Sequence, residues 1–251
     1  MSINEVDTIK PVYLLSGDSY HHRKTRDPLI REMLGETGHQ HPVVAYIGTA
    51  SEDDPIFFNV IKTLFERSGA GRVELVPLAD PEADLEYACA LIKSSNVIFI
   101  SEGDVDLGMR TLIERGMTGL IRKRFQAGAV LAGFSAGSIL LSRQWVRWRD
   151  PDDNSTAESF DCIGIIPLVC DMHDETDGWE ELKMLLRLRQ VDGEIGYGIP
   201  TSMGLRIHPD NRIEAIGGVV HRYTYRDGRV DNIGDISPSF FVHPLEYEYQ
   251  I

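Results

Sequence analysis

Short apolar runs recur along the first half of the chain, each followed by a polar turn and then by apolar residues at helical spacing. Val12–Leu15, Val43–Ile47, 73–76 and Val97–Ile100 lack polar alternation, so they read as interior strands covered on both faces. Between them, 27–34, 57–67, 81–92 and 111–125 carry apolar residues with a period near 3.6 and read as helices. Gly35 and Gly69 stand where two of these should stop. Thr49, Ala50 and Ser51 before Glu52, Asp53, Asp54 and Pro55 look like a helix cap followed by an acidic first turn. Strands alternating with helices of about this length make βαβ units. The expected fold class is therefore α/β, a mainly parallel sheet with helices on both faces.

The fifth run, 127–141, breaks the pattern in an informative way. Val130, Leu131 and Ala132 supply a strand, and Gly133-Phe134-Ser135-Ala136-Gly137 turns it directly into a helix. Glycines on either side of Ser135 remove side chains where strand and helix must approach closely. This G-x-S-x-G turn is the pattern of a nucleophile elbow, which lifts the serine hydroxyl from the sheet edge and leaves the Ala136 amide free as an oxyanion donor. In parallel sheets the chemistry gathers at the carboxyl ends of the strands. The turns after the first, second, fourth and fifth strands should share one rim, with Gly103 and Ser135 on the same side.

Beyond the elbow the pattern loosens. Residues 143–151 mix arginine with tryptophan, and 152–159 are polar enough to predict a loop. Cys162 to Cys170 is apolar again and runs into Asp171, Met172 and His173; 179–189 reads as a helix. From Gly196 onward, short alternating runs punctuated by Gly204, Gly217-Gly218 and Asp227-Gly228 predict a C-terminal hairpin extension that continues the sheet. Nothing marks a boundary, so 1–251 is expected to be a single domain.

Composition narrows the partners. At 251 residues, with 42% hydrophobic and 25% charged residues, the chain can bury one sizeable core and has the balance of a soluble globular protein. A formal net charge of −14 repels nucleic acid and anionic membranes, and neither is expected as a partner. No apolar stretch reaches the roughly 20 residues of a membrane span, and Met1 to Asp7 lacks the basic and apolar regions of a signal peptide. Cys89, Cys162 and Cys170 form no C-x-x-C pair and sit among apolar neighbours, which predicts reduced thiols in a cytoplasmic protein. No metal or cofactor is expected.

A hydrolytic serine needs a base, an acid to orient that base, and oxyanion donors. Of eight histidines, His21, His22, His39 and His41 lie in polar turns, and His208, His221 and His243 in the hairpin region; His173 alone closes an apolar strand. The elbow GFSAGSILL, the strand and turn VIFISEGD before it, and IIPLVCDMHD with His173 38 positions after Ser135 are together similar to the peptidase E family of serine peptidases. That family includes the α-aspartyl dipeptidases and the cyanophycinases. The resemblance covers roughly residues 10–220 and implies the architecture of class I glutamine amidotransferases. It implies Ser135 as nucleophile, His173 as general base, Asp150 as the orienting acid 15 positions after the serine, and the Gly103 and Ala136 amides as oxyanion hole.

Two other carboxylates compete for the acid's place. Asp171 lies two residues before His173 and Glu175 two after, and in a strand either would share its face. The chain also departs from the family at two points. Glu102 stands where glycine is usual, and Asp174, Glu175, Asp177, Glu180 and Glu181 fill a segment where aspartyl dipeptidases carry arginine. An acidic rim disfavours an aspartyl substrate and favours a free amino terminus or a basic side chain. The expected function is a serine hydrolase cleaving short peptides, as dipeptidase, exopeptidase or isopeptidase, through an acyl-enzyme on Ser135. The alternative is a catalytically silent relative that binds a small molecule or protein at the same rim. A small peptide is the expected partner, and a homodimer remains open.

Overall fold

A computed structural model of the chain describes residues 9–17 and 23–240. The readings placed on Met1–Asp7, on His21 and His22, and on His243 lie outside these residues. Five parallel strands form the centre: β1 (Val12–Leu15), β2 (Val43–Ile47), β3 (Arg72–Val76), β4 (Val97–Ile100) and β5 (Val130–Phe134). The helices among and after them are α1 (Arg23–Gly35), α2 (Pro55–Ser68), α3 (Leu85–Ser94), α4 (Val105–Glu114), α5 (Thr118–Gln126) and α6 (Ala136–Leu141). The unbroken apolar runs follow from burial on both faces. Tyr13, Leu15, Tyr46 and Phe99 pack towards α1 and α2, while Val12, Leu14, Ile47 and Ile98 enter the larger core on the opposite face.

Side-chain caps set the helix starts. Asp54 accepts N–H bonds from Ile56 (2.6 Å) and Phe57 (3.2 Å) with Pro55 in the first turn, so α2 begins there rather than after the Thr/Ser run. Asp84 caps α3, which shortens the helix expected over 81–92. The helix expected over 111–125 is two helices. Asp104 caps α4 through the Leu107 N–H at 2.7 Å, and Gly116, at φ 68°, breaks the chain before α5.

The remaining chain forms β6 (Gln144–Trp148), β7 (Ala157–Asp161), β8 (Val169–Met172), α7 (Glu180–Arg189), β9 (Ile195–Ile199), β10 (Gly204–Ile207), β11 (Ile213–Ile216), β12 (Val220–Arg226), β13 (Arg229–Ile236) and β14 (Pro238–Phe240). The main sheet runs β14-β11-β10-β1-β5-β4-β2-β3, so β10 and β11 extend it as expected, antiparallel beyond β1. β14 adds to the same edge, parallel to β11, but the other tail strands do not extend it: β9, β12 and β13 join β8 in a second, four-stranded sheet of order β13-β12-β9-β8. Most of the arginine-tryptophan stretch and the end of the segment expected as a loop pair as the ribbon β6-β7, with Arg147 opposite Glu158. Among the described residues no helix is long and apolar enough to cross a membrane.

Candidate active site

Ser135 stands at the junction of β5 and α6 with φ 49° and ψ −117°, a conformation that costs an L-residue about 1–3 kcal/mol. The surroundings enforce it. A Cβ on Gly133 would lie 2.4 Å from the Gly137 carbonyl, and one on Gly137 would lie 2.0 Å from the carbonyl oxygen of Ile100. Strand and helix thus meet at a distance that only glycine allows. The Ser135 N–H donates to the Leu15 carbonyl at 2.8 Å. The fully buried Ser138 clamps the end of β1, its hydroxyl accepting from the Leu15 N–H (2.9 Å) and donating to the Leu15 carbonyl (3.1 Å).

His173 arrives from the other sheet. It follows β8 with φ 47°, and its N–H donates to the carbonyl of Ile199, the last residue of β9, at 2.9 Å. This places its Nε2 2.7 Å from Ser135 Oγ. Gly17 lies against the ring, where a Cβ would come within 3.2 Å of His173 Cδ2.

Gly103 occupies the neighbouring rim turn at φ 135°; a Cβ there would lie 2.0 Å from the Ala50 carbonyl oxygen. That carbonyl accepts the Asp104 N–H at 2.8 Å, which pins the turn. Ala136 is the first residue of α6, where backbone N–H groups have no partner within the helix. Among the described residues, neither the Gly103 nor the Ala136 N–H finds an acceptor. Glu102 is half-buried beside Tyr46. Burial, with some help from the Glu102 charge, pushes the Tyr46 hydroxyl up to about 12 against its bond to Ser101 Oγ (2.8 Å).

The three carboxylates that compete to orient His173 have separate fates. Asp150 is exposed in the turn joining β6 to β7, where its Oδ1 accepts the Asp152 N–H at 3.1 Å and its backbone pairs with the Thr156 hydroxyl. Among the described residues none of the three carboxylates hydrogen-bonds the imidazole, whose one partner is Ser135. Glu175 is fastened to the loop after β9, accepting from the Thr201 hydroxyl at 2.6 Å and the Thr201 N–H at 3.1 Å. Burial opposes its charge, yet these bonds and the nearby His173 hold its carboxyl below the usual range.

Asp171 is 2% exposed, with Oδ1 on the Met172 N–H (2.7 Å). Its Oδ2 is buried without a partner among the described residues. Burial first, then the charges of Asp174 and Glu181, push its carboxyl well above the usual range, against a pull from the Leu182 N–H in the first turn of α7. A folded-state value above the unfolded one means that the stability linked to this group is present at acid pH and lost as pH rises through the raised value. Asp171→Asn should therefore be more stable than wild type at pH 8, with the gain vanishing near pH 4. Urea melts at both pH values measure this, and an equal or lower midpoint at pH 8 would refute it.

The positive charges near the rim are engaged elsewhere. Arg147 donates to Asp106 on α4 (2.7 Å) and Glu158 on β7 (2.9 Å), and Arg149 to Glu158 (2.7 Å), tying the ribbon to α4. Among the described residues, no group of three or more histidine, cysteine or carboxylate side chains is arranged to hold a metal. Gly17, Ser138 and Thr201 escaped the sequence reading. Gly17 and Ser138 carried a weak signal, as a glycine ending a strand and a polar residue inside an apolar helix start.

A mainly parallel α/β sheet with an elbow serine facing a histidine defines an α/β protein with a serine-hydrolase-type site. More particularly, the chain belongs to Peptidase family S51, whose model matches residues 12–214. This agrees with the peptidase E resemblance carried by the elbow. Cyanophycinases of Trichormus variabilis and of a Nostoc species are each 24% identical to it over 151 residues, covering 58% of this chain and 51% of theirs. The chain thus matches about half the length of these curated relatives. Among solved structures, a peptidase from an acI-B1 actinobacterium superposes with a TM-score of 0.71 at 22% identity, over 92% of this chain and 98% of the other. A putative peptidase E protein from Listeria monocytogenes gives 0.62 at 19% identity, over 83% and 98%. These likenesses are of fold.

Proposed function

We propose that the protein is a serine peptidase acting on short peptides through an acyl-enzyme on Ser135. The observation that carries this is the 2.7 Å contact between Ser135 Oγ and His173 Nε2 on a strained elbow. In this reading His173 takes the serine proton as Oγ attacks the peptide carbonyl, and returns it to the leaving amine. The Gly103 and Ala136 N–H groups receive the oxyanion, each contributing about 3 kcal/mol to the transition state. The acyl-enzyme is then hydrolysed by water activated through the same histidine. Family membership supports the chemistry. The spent Arg147 and Arg149 and the acidic segment after His173 support a substrate with a free amino terminus over an aspartyl one. A fluorophosphonate should modify Ser135 in the wild type and fail to do so in His173→Ala; an unmodified wild-type Ser135 would instead favour the silent binding module.

For the acid, the Thr201 clamp favours Glu175 over Asp150 as the residue that positions His173. Glu175→Gln should lower kcat about 100-fold or more and displace the acid limb of the pH–rate profile, as expected when the imidazolium loses a compensating charge. Asp150→Asn should stay within about threefold of wild type. The opposite ranking would return the role to Asp150.

A further inference from the structure

Beside the elbow, on the sheet face covered by α1 and α2, lies a cavity of about 50 Å³. Its rim-side wall is made by the immediate neighbours of residues already described. Phe134 precedes Ser135, Ser16 precedes the Gly17 that touches the His173 ring, and Ser202 follows the Thr201 that holds Glu175. Leu15 and Met203 continue this wall, and Leu29 of α1 and Leu64 of α2 close the far side. The described lining residues carry no charge. Its polar groups are the Ser16 and Ser202 hydroxyls, and Ser16 Oγ is buried without a partner among the described residues.

On the scale where one water takes roughly 10–15 Å³, this cavity has room for about three or four heavy atoms. That is the count in a valine or leucine side chain. Burying a carboxylate or an ammonium against such walls would cost far more than any contact there could return. Resting on the peptidase reading above, we infer that this cavity is the subsite for the side chain next to the scissile carbonyl, and that it selects small aliphatic residues. The acyl group then hangs from Ser135 with its side chain packed beside Phe134. Ser16 Oγ gains a partner from the peptide backbone at the cavity mouth. The two specificity elements divide the substrate: acidic residues after His173 for an amino group, an apolar cavity for the neighbouring side chain.

The test uses p-nitrophenyl esters of acetic, butyric, 4-methylpentanoic and succinic acids with the full chain, reading p-nitrophenol release, alongside fluorophosphonate modification of Ser135. Wild type should turn over the butyryl and 4-methylpentanoyl esters at least about 10-fold faster than the hemisuccinate, whose carboxylate would have to leave water for uncharged, mainly apolar walls. Leu64→Phe, which fills the cavity from its far side, should lower the ratio of 4-methylpentanoyl to acetyl turnover about 10-fold. Leu64→Ala should move the preference towards the longest chain. Modified Ser135 with a flat profile, a preference for the hemisuccinate, or ratios unmoved by both Leu64 variants would overturn the subsite while leaving the peptidase reading intact. An unmodified Ser135 with no ester turned over would overturn both.

Discussion

Ser135→Ala should lose peptide hydrolysis by about four orders of magnitude or more while keeping its fold, because the attacking oxygen is gone and the oxyanion donors and binding surface remain. Steady-state turnover of a dipeptide library, with circular dichroism as the folding control, measures it; hydrolysis within tenfold of wild type would remove Ser135 from the mechanism. The backbone adds a second arm with the opposite sign. Ser135 is held at φ 49°, a region that glycine enters freely, so Ser135→Gly should be as inactive yet more stable than wild type by about 1 kcal/mol. A dead variant with a higher urea midpoint is the signature of strain maintained for chemistry, whereas a lower midpoint would mean that the elbow is relaxed.

Gly137→Ala should be among the most damaging methyl additions at the described residues. Its Cβ would lie 2.0 Å from the Ile100 carbonyl oxygen and 2.5 Å from the carbonyl carbon. Both are backbone atoms of β4, which sits inside the sheet and cannot swing away. Helix α6 would have to lift from the sheet, at a cost of about 4 kcal/mol or more, enough to unfold many domains of ordinary stability. Gly35→Ala at the end of α1 is the control. A Cβ there meets nothing within 4 Å, and the substitution should be neutral or stabilise by up to about 1 kcal/mol. Urea titrations of the two variants should differ by several kcal/mol, and closely matched midpoints would contradict the packing at the elbow.

What could be read from the sequence follows from how local each cause is. The central strands were legible because burial on both faces writes itself as an unbroken apolar run, as in Val97–Ile100. The elbow was legible because two clashes, at Gly133 and Gly137, demand glycines at a fixed spacing around one serine. The second sheet was not. Val169–Met172 and Ile195–Ile199 are short runs whose partners depend on tertiary packing, and nothing in them distinguishes a new sheet from an extension of the first. The ribbon β6-β7 hid behind charge, since Arg147 and Glu158 are cross-strand partners that read singly as loop residues. The pairing of Trp148 with Ala157 places Asp150, the acid that the resemblance implies, in the ribbon's turn, a position no local pattern announces. The hold on Glu175 comes from Thr201, 26 positions away, and no period or motif connects them.

Serine and histidine are also carried by separate foundations: Ser135 by β5 in the eight-stranded sheet, His173 by the Ile199 carbonyl at the end of β9 in the four-stranded one. The 2.7 Å between them is therefore a gauge of how the two sheets sit together. Leu14 and Ile98 of the larger sheet share one buried core with Val169 and Ile199 of the smaller, so a substitution that repacks this core should alter the spacing of the dyad without touching either residue.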